Sequence, residues 1–389
     1  MSEQSPDLPA PPPTSHATVL NQRASLLAGL VLLIFMIVGV ASNAWWTWGE
    51  DHAVLPEDVS LSRVLDGGVT HDLSERLADM PFSSEAARLQ RGLGWLTLGD
   101  LGARVRQGCP GWLFLSDELE LHRGADANAQ ARAHLVAQVR EALAAQGVGL
   151  LVAVVPDKSR IEAEHLCGLR RPAVLQDRVT RWIDDLRAKG VTAIDLTSPL
   201  QTLGKDAYYR NDTHWNEAGA GVAARAVADA IRASGVPLQP PRTLRATPQP
   251  AAPRPGDLPR LAGVDWLATV LQPPMEIVSS HVYTPEASKS DDLFGDTALP
   301  TLALIGTSYS RTSGFVPQLE QALGAQVGNF ARDGAKFGGA AKHYFQSQAW
   351  KQTPPKLVIW EIDERDLQTP LTDEDRSVSP DAVGKPASR

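Results

Sequence analysis

Hydrophobic and polar positions along the chain fall into three regimes. From Ala24 to Ala44 leucine, isoleucine, valine and alanine dominate and no charged residue occurs. That run is long enough to cross a bilayer as one helix. Trp45, Trp46 and Trp48 follow it, where interfacial anchors sit. Residues 50–100 are loosely amphipathic and predict helices, broken at Asp66-Gly67-Gly68. Beyond Cys109 the pattern alternates. Val148 to Val155, Val191 to Leu196, Leu299 to Ile305, Ala325 to Phe330 and Lys356 to Ile362 are short apolar runs, as strands buried on both faces require. Met275 to Tyr283 adds a further candidate strand. Between these runs, Ala127 to Gln146, Leu175 to Lys189, Ala218 to Ser234 and Phe315 to Leu323 read as helices. Strands alternating with helices predict a three-layer α/β domain with a mostly parallel sheet.

Composition sharpens this picture. The chain has 389 residues, 43% hydrophobic and 21% charged, so it can bury a core. A net charge of −8 with no basic stripe argues against nucleic acid as a partner. Residues 1–22 are polar and proline-rich, with Pro11-Pro12-Pro13, and predict a disordered tail. Arg23 precedes the apolar span, and Glu50 and Asp51 follow it, which places the N-terminus in the cytoplasm. Two readings fit the span: an uncleaved anchor, or a signal peptide cut near Ser42-Asn43-Ala44. Its length exceeds an ordinary signal core and favours the anchor. Either way the bulk of the chain is exported. The expected organisation is a cytoplasmic tail (1–22), a single inner-membrane span (23–45), a helical spacer packing on the main domain (46–105), a periplasmic catalytic domain (106–368) and a disordered tail (369–389). A proline-rich stretch at 237–259 reads as a surface excursion or linker. After export, Cys109 and Cys167 form either a disulfide or two separate buried thiols. No metal-ligand spacing or cofactor motif stands out.

Candidate chemistry lies in two stretches. Asn211-Asp212-Thr213-His214-Trp215 is a polar turn before an alanine-rich helix. An Asp two residues before a His can engage one ring nitrogen and leave the other to accept a proton. In Gly306-Thr307-Ser308-Tyr309-Ser310 an apolar strand runs into a small-residue turn that exposes Ser308. Serine is a poor nucleophile without a base, and His214 can serve as that base. Asp157-Lys158 closes a third strand, and such strand ends converge on one crevice in a parallel sheet. The Ser308 N–H and the loop from Asn329 to Gly339 are candidate oxyanion donors. Tyr309, Arg332 and Trp215, with Tyr344, are candidate substrate-binding residues.

Together with Gly111-Trp112-Leu113-Phe114, Pro156-Asp157-Lys158 and Ile359-Trp360-Glu361-Ile362-Asp363-Glu364-Arg365, these stretches resemble the family of AlgJ and AlgX. These are exported alginate O-acetyltransferases with an SGNH-hydrolase-like domain. The membrane span makes the chain look more like AlgJ. The resemblance implies Ser308 as nucleophile, His214 as base and Asp212 as its orienter. It also implies a polysaccharide acceptor and a membrane-bound O-acyltransferase supplying acetyl groups. Three functional classes stay open on sequence: polysaccharide O-acetyltransferase, polysaccharide acetylesterase, and non-catalytic polysaccharide-binding scaffold.

Overall fold

The computed structural model describes residues 22–49, 59–286 and 299–384. The expected tail at 1–22 lies almost wholly outside the described residues. The chain forms two compact units, 1–90 and 91–389. The first contains the helix Gln22–Gly49. Its segment Ser25–Trp48 is the one described helix long and apolar enough to cross a membrane. Helices Leu61–Leu65, Gly68–Asp79 and Pro81–Leu98 follow. Asp66 and Gly67 break the first two apart, with Gly67 left-handed at φ 84°.

The second unit is built on five parallel strands: β1 (Gly149–Val155), β2 (Thr192–Asp195), β3 (Leu302–Ile305), β4 (Val327–Asn329) and β5 (Leu357–Asp363). Their spatial order is β4-β3-β5-β1-β2, all parallel. Alternation along each strand divides the core into two layers. Leu151, Ala153, Leu302, Leu304, Leu357 and Ile359 face one layer. There they meet helices Glu217–Ala233 and Phe315–Leu323. Leu150, Val152, Val154, Val358, Trp360 and Ile362 face the other. That layer is covered by helices Ala125–Ala144, Arg178–Ala188 and Gly339–Gln346. The helix Glu217–Ala233 shows why alanine was abundant there. Ala220, Ala223, Ala224, Val227, Ala228 and Ile231 form one fully buried stripe that lets the helix approach closely. A Cβ on Gly219 would sit 2.2 Å from the Ala207 carbonyl oxygen, so only glycine fits at the helix entrance.

Cys109 and Cys167 are disulfide-bonded. A bridge over that loop contributes roughly 2–4 kcal/mol.

Two regions differ from the sequence expectation. The proline-rich stretch is not a bare linker. It carries strands Leu244–Pro248 and Ala252–Arg254, paired with His281–Pro285 and Glu276–Val278, and a short helix Asp257–Leu261. Leu258 in that helix is fully buried. Prolines here occupy two-stranded ladders, where a missing donor is tolerated. The candidate strand from Met275 to Tyr283 divides accordingly into two. The residues after Leu367, expected to be disordered, fold through Gly384. Thr372 and Asp375 close a capping box. The Arg132 guanidinium, buried in helix Ala125–Ala144, bonds Asp375 at 2.8 Å. Trp350 donates from its ring nitrogen to the Val383 carbonyl. One buried cation far upstream thus organises a segment whose own composition reads as polar.

Removing one partner of a buried ion pair leaves an uncompensated charge and costs about 3–5 kcal/mol. Asp375→Ala is therefore expected to destabilise the full chain by about 3 kcal/mol in urea denaturation. A loss below about 1 kcal/mol would contradict this anchoring role.

Candidate active site

The site forms at the C-terminal ends of β1, β3 and β5. Strand β3 leads through Gly306 and Thr307 into the short 3-10 turn Ser308–Arg311. That turn is held from below by β5. The Glu361 carboxylate accepts from the Thr307 amide at 2.7 Å and from the Ser310 hydroxyl at 2.9 Å. The Thr307 hydroxyl lies 3.0 Å from Glu361 Oε1 and 3.1 Å from Asp363 Oδ1. A Cβ on Gly306 would stand 2.5 Å from Glu361 Oε2, so the carboxylate reaches the turn because residue 306 is glycine. Arg365 pairs with Asp363 from the other side. Half-buried Ser308 faces the crevice above this base.

His214 comes from the turn before helix Glu217–Ala233. Its Nε2 lies 2.7 Å from Ser308 Oγ, and its Nδ1 lies 2.6 Å from Asp212 Oδ1. Asp212 also accepts from the His214 backbone N–H at 2.9 Å. Arg254, from the proline-rich excursion, donates to Asp212 Oδ2 at 2.7 Å. Burial alone would raise the Asp212 carboxyl. The hydrogen bond and charge of His214, with Arg254, overcome burial and hold it well below the usual carboxylate range. Asp257 caps the same turn, accepting from the Thr213 N–H at 2.7 Å, and its other oxygen lies 3.8 Å from His214 Nδ1. Burial and the neighbouring Asp212 charge raise the Asp257 carboxyl.

Lys158 holds the loop from beneath. Its buried Nζ donates to the carbonyls of Leu113, Arg210 and Asp212 at 2.5, 2.8 and 3.0 Å. Burial lowers this ammonium to about 8. Its neighbour Asp157 does not reach the crevice. It is buried among Arg171 and Arg178, beside Glu364.

The residues expected to bind substrate divide. Tyr309 is 1% exposed and Trp215 is fully buried. Tyr309 donates to the Thr213 carbonyl and meets the His214 ring edge-on at 4.9 Å. Trp215 stacks on Phe315 at 5.0 Å. Tyr344 is likewise buried, against Phe330 and Trp350. None of the three offers a face to a sugar, because all three rings are packed into the core. Arg332 is exposed, and its backbone N–H donates to the Gly306 carbonyl at 3.1 Å. The amides of Phe330 and Ala331 are also committed, to Leu304 O and Asn329 Oδ1. Those three N–H groups are thereby removed as oxyanion donors.

The sequence profile of the SGNH hydrolase-like domain of acetyltransferase AlgX matches residues 105–364. The chain belongs to the AlgX and AlgJ family. A probable alginate O-acetylase AlgJ from Azotobacter vinelandii is 34% identical over 297 residues, covering 74% of this chain and 76% of the relative. The Pseudomonas putida protein of the same name is 31% identical over 344 residues, covering 86% and 88%. The solved O-acetyltransferase domain of Pseudomonas putida AlgJ superposes with a TM-score of 0.61 at 30% identity, covering 70% of this chain and 95% of that one. The SGNH-like α/β fold expected from sequence is therefore shown.

Two carboxylate–imidazole groups in this family member bring ligand atoms within 4.8 Å of one another: Glu162, His165 and Asp206, and Asp212, His214 and Asp257. In the second, both Asp212 oxygens already accept from His214, Arg254 and the Asp257 N–H. In the first, Glu162 Oε1 accepts from the amides of Ala207 and Tyr208. These bonds commit both Asp212 oxygens and one Glu162 oxygen.

Sequence reasoning missed Arg254, Asp257 and the roles of Glu361 and Asp363. A charged Arg-Pro-Gly-Asp within a proline run was the available signal for the first pair. The second pair sits in an otherwise apolar strand.

Burial raises the Asp363 carboxyl, Arg365 lowers it and Glu361 raises it again, for a net rise from 3.8 to about 7. The native chain thus holds a proton that the unfolded chain releases between those values. Stability contributed by this group is full below the lower value and falls as pH rises through the window. Asp363→Asn is expected to flatten the slope of unfolding free energy against pH there, by up to about 1.4 kcal/mol per pH unit. An unchanged slope in urea titrations would contradict the assignment.

Proposed function

We propose that this chain acetylates an exported, alginate-like polysaccharide through Ser308, His214 and Asp212. The observation that carries the reading is the continuous hydrogen-bonded line from Asp212 through His214 to Ser308, 2.6 and 2.7 Å per step. The family names support acyl transfer. His214 Nε2 takes the Ser308 proton as Oγ attacks the acetyl carbonyl of a donor ester. Asp212, kept ionised by its hydrogen bond to His214 and by Arg254, supports the imidazolium that results. The Ser308 N–H stabilises the oxyanion. His214 then gives its proton to the departing alcohol and leaves acetyl-Ser308. A sugar hydroxyl loses its proton to His214 and attacks the acetyl carbon; the bond to Ser308 Oγ then breaks as His214 returns the proton to Oγ, leaving the new sugar ester and free Ser308.

The apolar helix at Ser25–Trp48 supports an anchor in the inner membrane with the catalytic unit in the periplasm. In that position a membrane-bound O-acyltransferase is the acetyl supplier, and the emerging polymer is the acceptor.

The test uses the full chain with an acetyl-ester donor and alginate oligosaccharides, with product read by mass. Ser308→Ala, His214→Ala and Asp212→Ala are each expected to lower acetylation about a thousandfold or more, and pairs of them to add little further loss. Near-parent transfer by Ser308→Ala would overturn the reading. Free acetate at equal rates with and without glycan, and no acetylated sugar, would favour hydrolysis instead.

A further inference from the structure

Shortly after β1 the chain reads Glu162-Ala163-Glu164-His165. A carboxylate and an imidazole at i and i+3 share one face of a turn, a spacing that presents both to a single metal ion. Here Glu162 precedes the 3-10 turn Ala163–His165. Asp206 comes in from the segment that leads to Asp212 and His214, and its Oδ1 lies 3.5 Å from His165 Nε2. Glu164 Oε1 lies 3.7 Å and Glu162 Oε2 4.0 Å from the same nitrogen.

The surrounding structure holds these groups at that spacing. The His165 ring stacks on Trp112 at 3.9 Å with 10° between the planes, and its carbonyl accepts from the Cys109 amide at 2.8 Å. Glu162 is 3% exposed. Its Oε1 accepts from the Ala207 and Tyr208 amides at 2.7 and 3.0 Å, which leaves Oε2 on the His165 side. The Asp206 carbonyl accepts from the Asn216 side-chain amide at 2.7 Å. Arg210 lies 3.6 Å from Asp206 Oδ2, so Oδ1 is the oxygen that faces the ring.

The result is a solvent-shielded ring nitrogen with no hydrogen-bond partner, faced by three carboxylate oxygens. A buried nitrogen left in this way is costly, and a proton on it would need an oxygen closer than any of the three. A metal ion fits better. Ligand atoms about 2.1 Å from a tetrahedral zinc stand about 3.4 Å from one another. Three carboxylates against Arg210 also leave an excess of negative charge beside a neutral imidazole. Burial raises the Glu162 carboxyl, its two amide bonds lower it, and the Asp206 charge raises it again. A bound cation would favour the ionised form.

We propose that Glu162, His165 and Asp206 bind one divalent transition-metal ion, with the exposed Glu164 or water completing the shell. Mixed imidazole and carboxylate donors suit zinc better than calcium or magnesium. The role is structural. The ion ties the turn after β1 to the segment carrying Asp212 and His214, beside the amides of Ala207 and Tyr208. The cluster at Asp212, His214 and Asp257 is a poorer site, because both Asp212 oxygens are already engaged.

The experiment strips the full chain with a chelator in detergent and titrates zinc chloride into it by calorimetry, with thermal melting in parallel. One zinc per chain is expected, with a dissociation constant of about 1 μM or below, and a melting temperature that rises with zinc. His165→Phe keeps a ring against Trp112 and removes the nitrogen. Outer-shell partners alone are worth about 10–100-fold in metal affinity, so this loss of a ligand is expected to weaken zinc about a hundredfold or more. Asp206→Asn, at a position open to solvent, is the second variant and decides if His165→Phe does not fold. It is expected to weaken zinc about tenfold or more. No binding up to about 1 mM zinc would overturn the site, as would an isotherm that a folded variant of either kind leaves unchanged. Binding lost in His214→Ala and kept in His165→Phe would place the ion at Asp212, His214 and Asp257 and overturn it too. Zinc bound with no rise in melting temperature would overturn the structural role.

Discussion

The Glu361 carboxylate at the end of the central strand holds the serine turn in place. It is 1% exposed, and it accepts from the Thr307 amide and the Ser310 hydroxyl on either side of Ser308. A buried carboxylate is costly unless its lone pairs are met, and the turn meets them. The two features therefore require each other. Gly306 admits the carboxylate, and Asp363 with Arg365 closes the network below. Ser308 is left as the hydroxyl of this turn that points toward His214.

The opposite side of the crevice is held by borrowed groups. Asp212 and His214 lie on a short loop with little structure of its own. Lys158 gathers three carbonyls of the surrounding loops from below. Arg254 and Asp257 reach in from a segment inserted between the base and the nucleophile. The insertion thus secures the orienting carboxylate.

The sheet and the hydrogen-bonded line of Asp212, His214 and Ser308 were legible in the sequence for the same reason. Runs such as Val148 to Val155 and Lys356 to Ile362 are apolar without interruption, which parallel strands demand, and the polar residues that end them stand out. Helix Phe315–Leu323 was readable to the residue because Gly314 and Gly324, both left-handed, bracket it. What could not be read were contacts made by single buried charges across long separations. Arg132 orders the segment around Asp375, and Arg254 fastens Asp212. No local pattern marks such pairs, because each residue alone looks like a solvated surface charge. The aromatics misled for a related reason. Trp215 and Tyr309 sit next to His214 and Ser308 in sequence, but it is the His214 and Ser308 side chains that meet each other while the two rings pack into the core.

The central claim is that Ser308 carries the acetyl group between donor and acceptor. The most direct measurement is rapid acid quench of the full chain with an acetyl-ester donor and no glycan, followed by peptide mass analysis. The account predicts one acetyl group on the peptide containing Ser308, discharged when an acceptor oligosaccharide is added before the quench. A donor consumed at the full rate with no acetyl on that peptide at any time would contradict it.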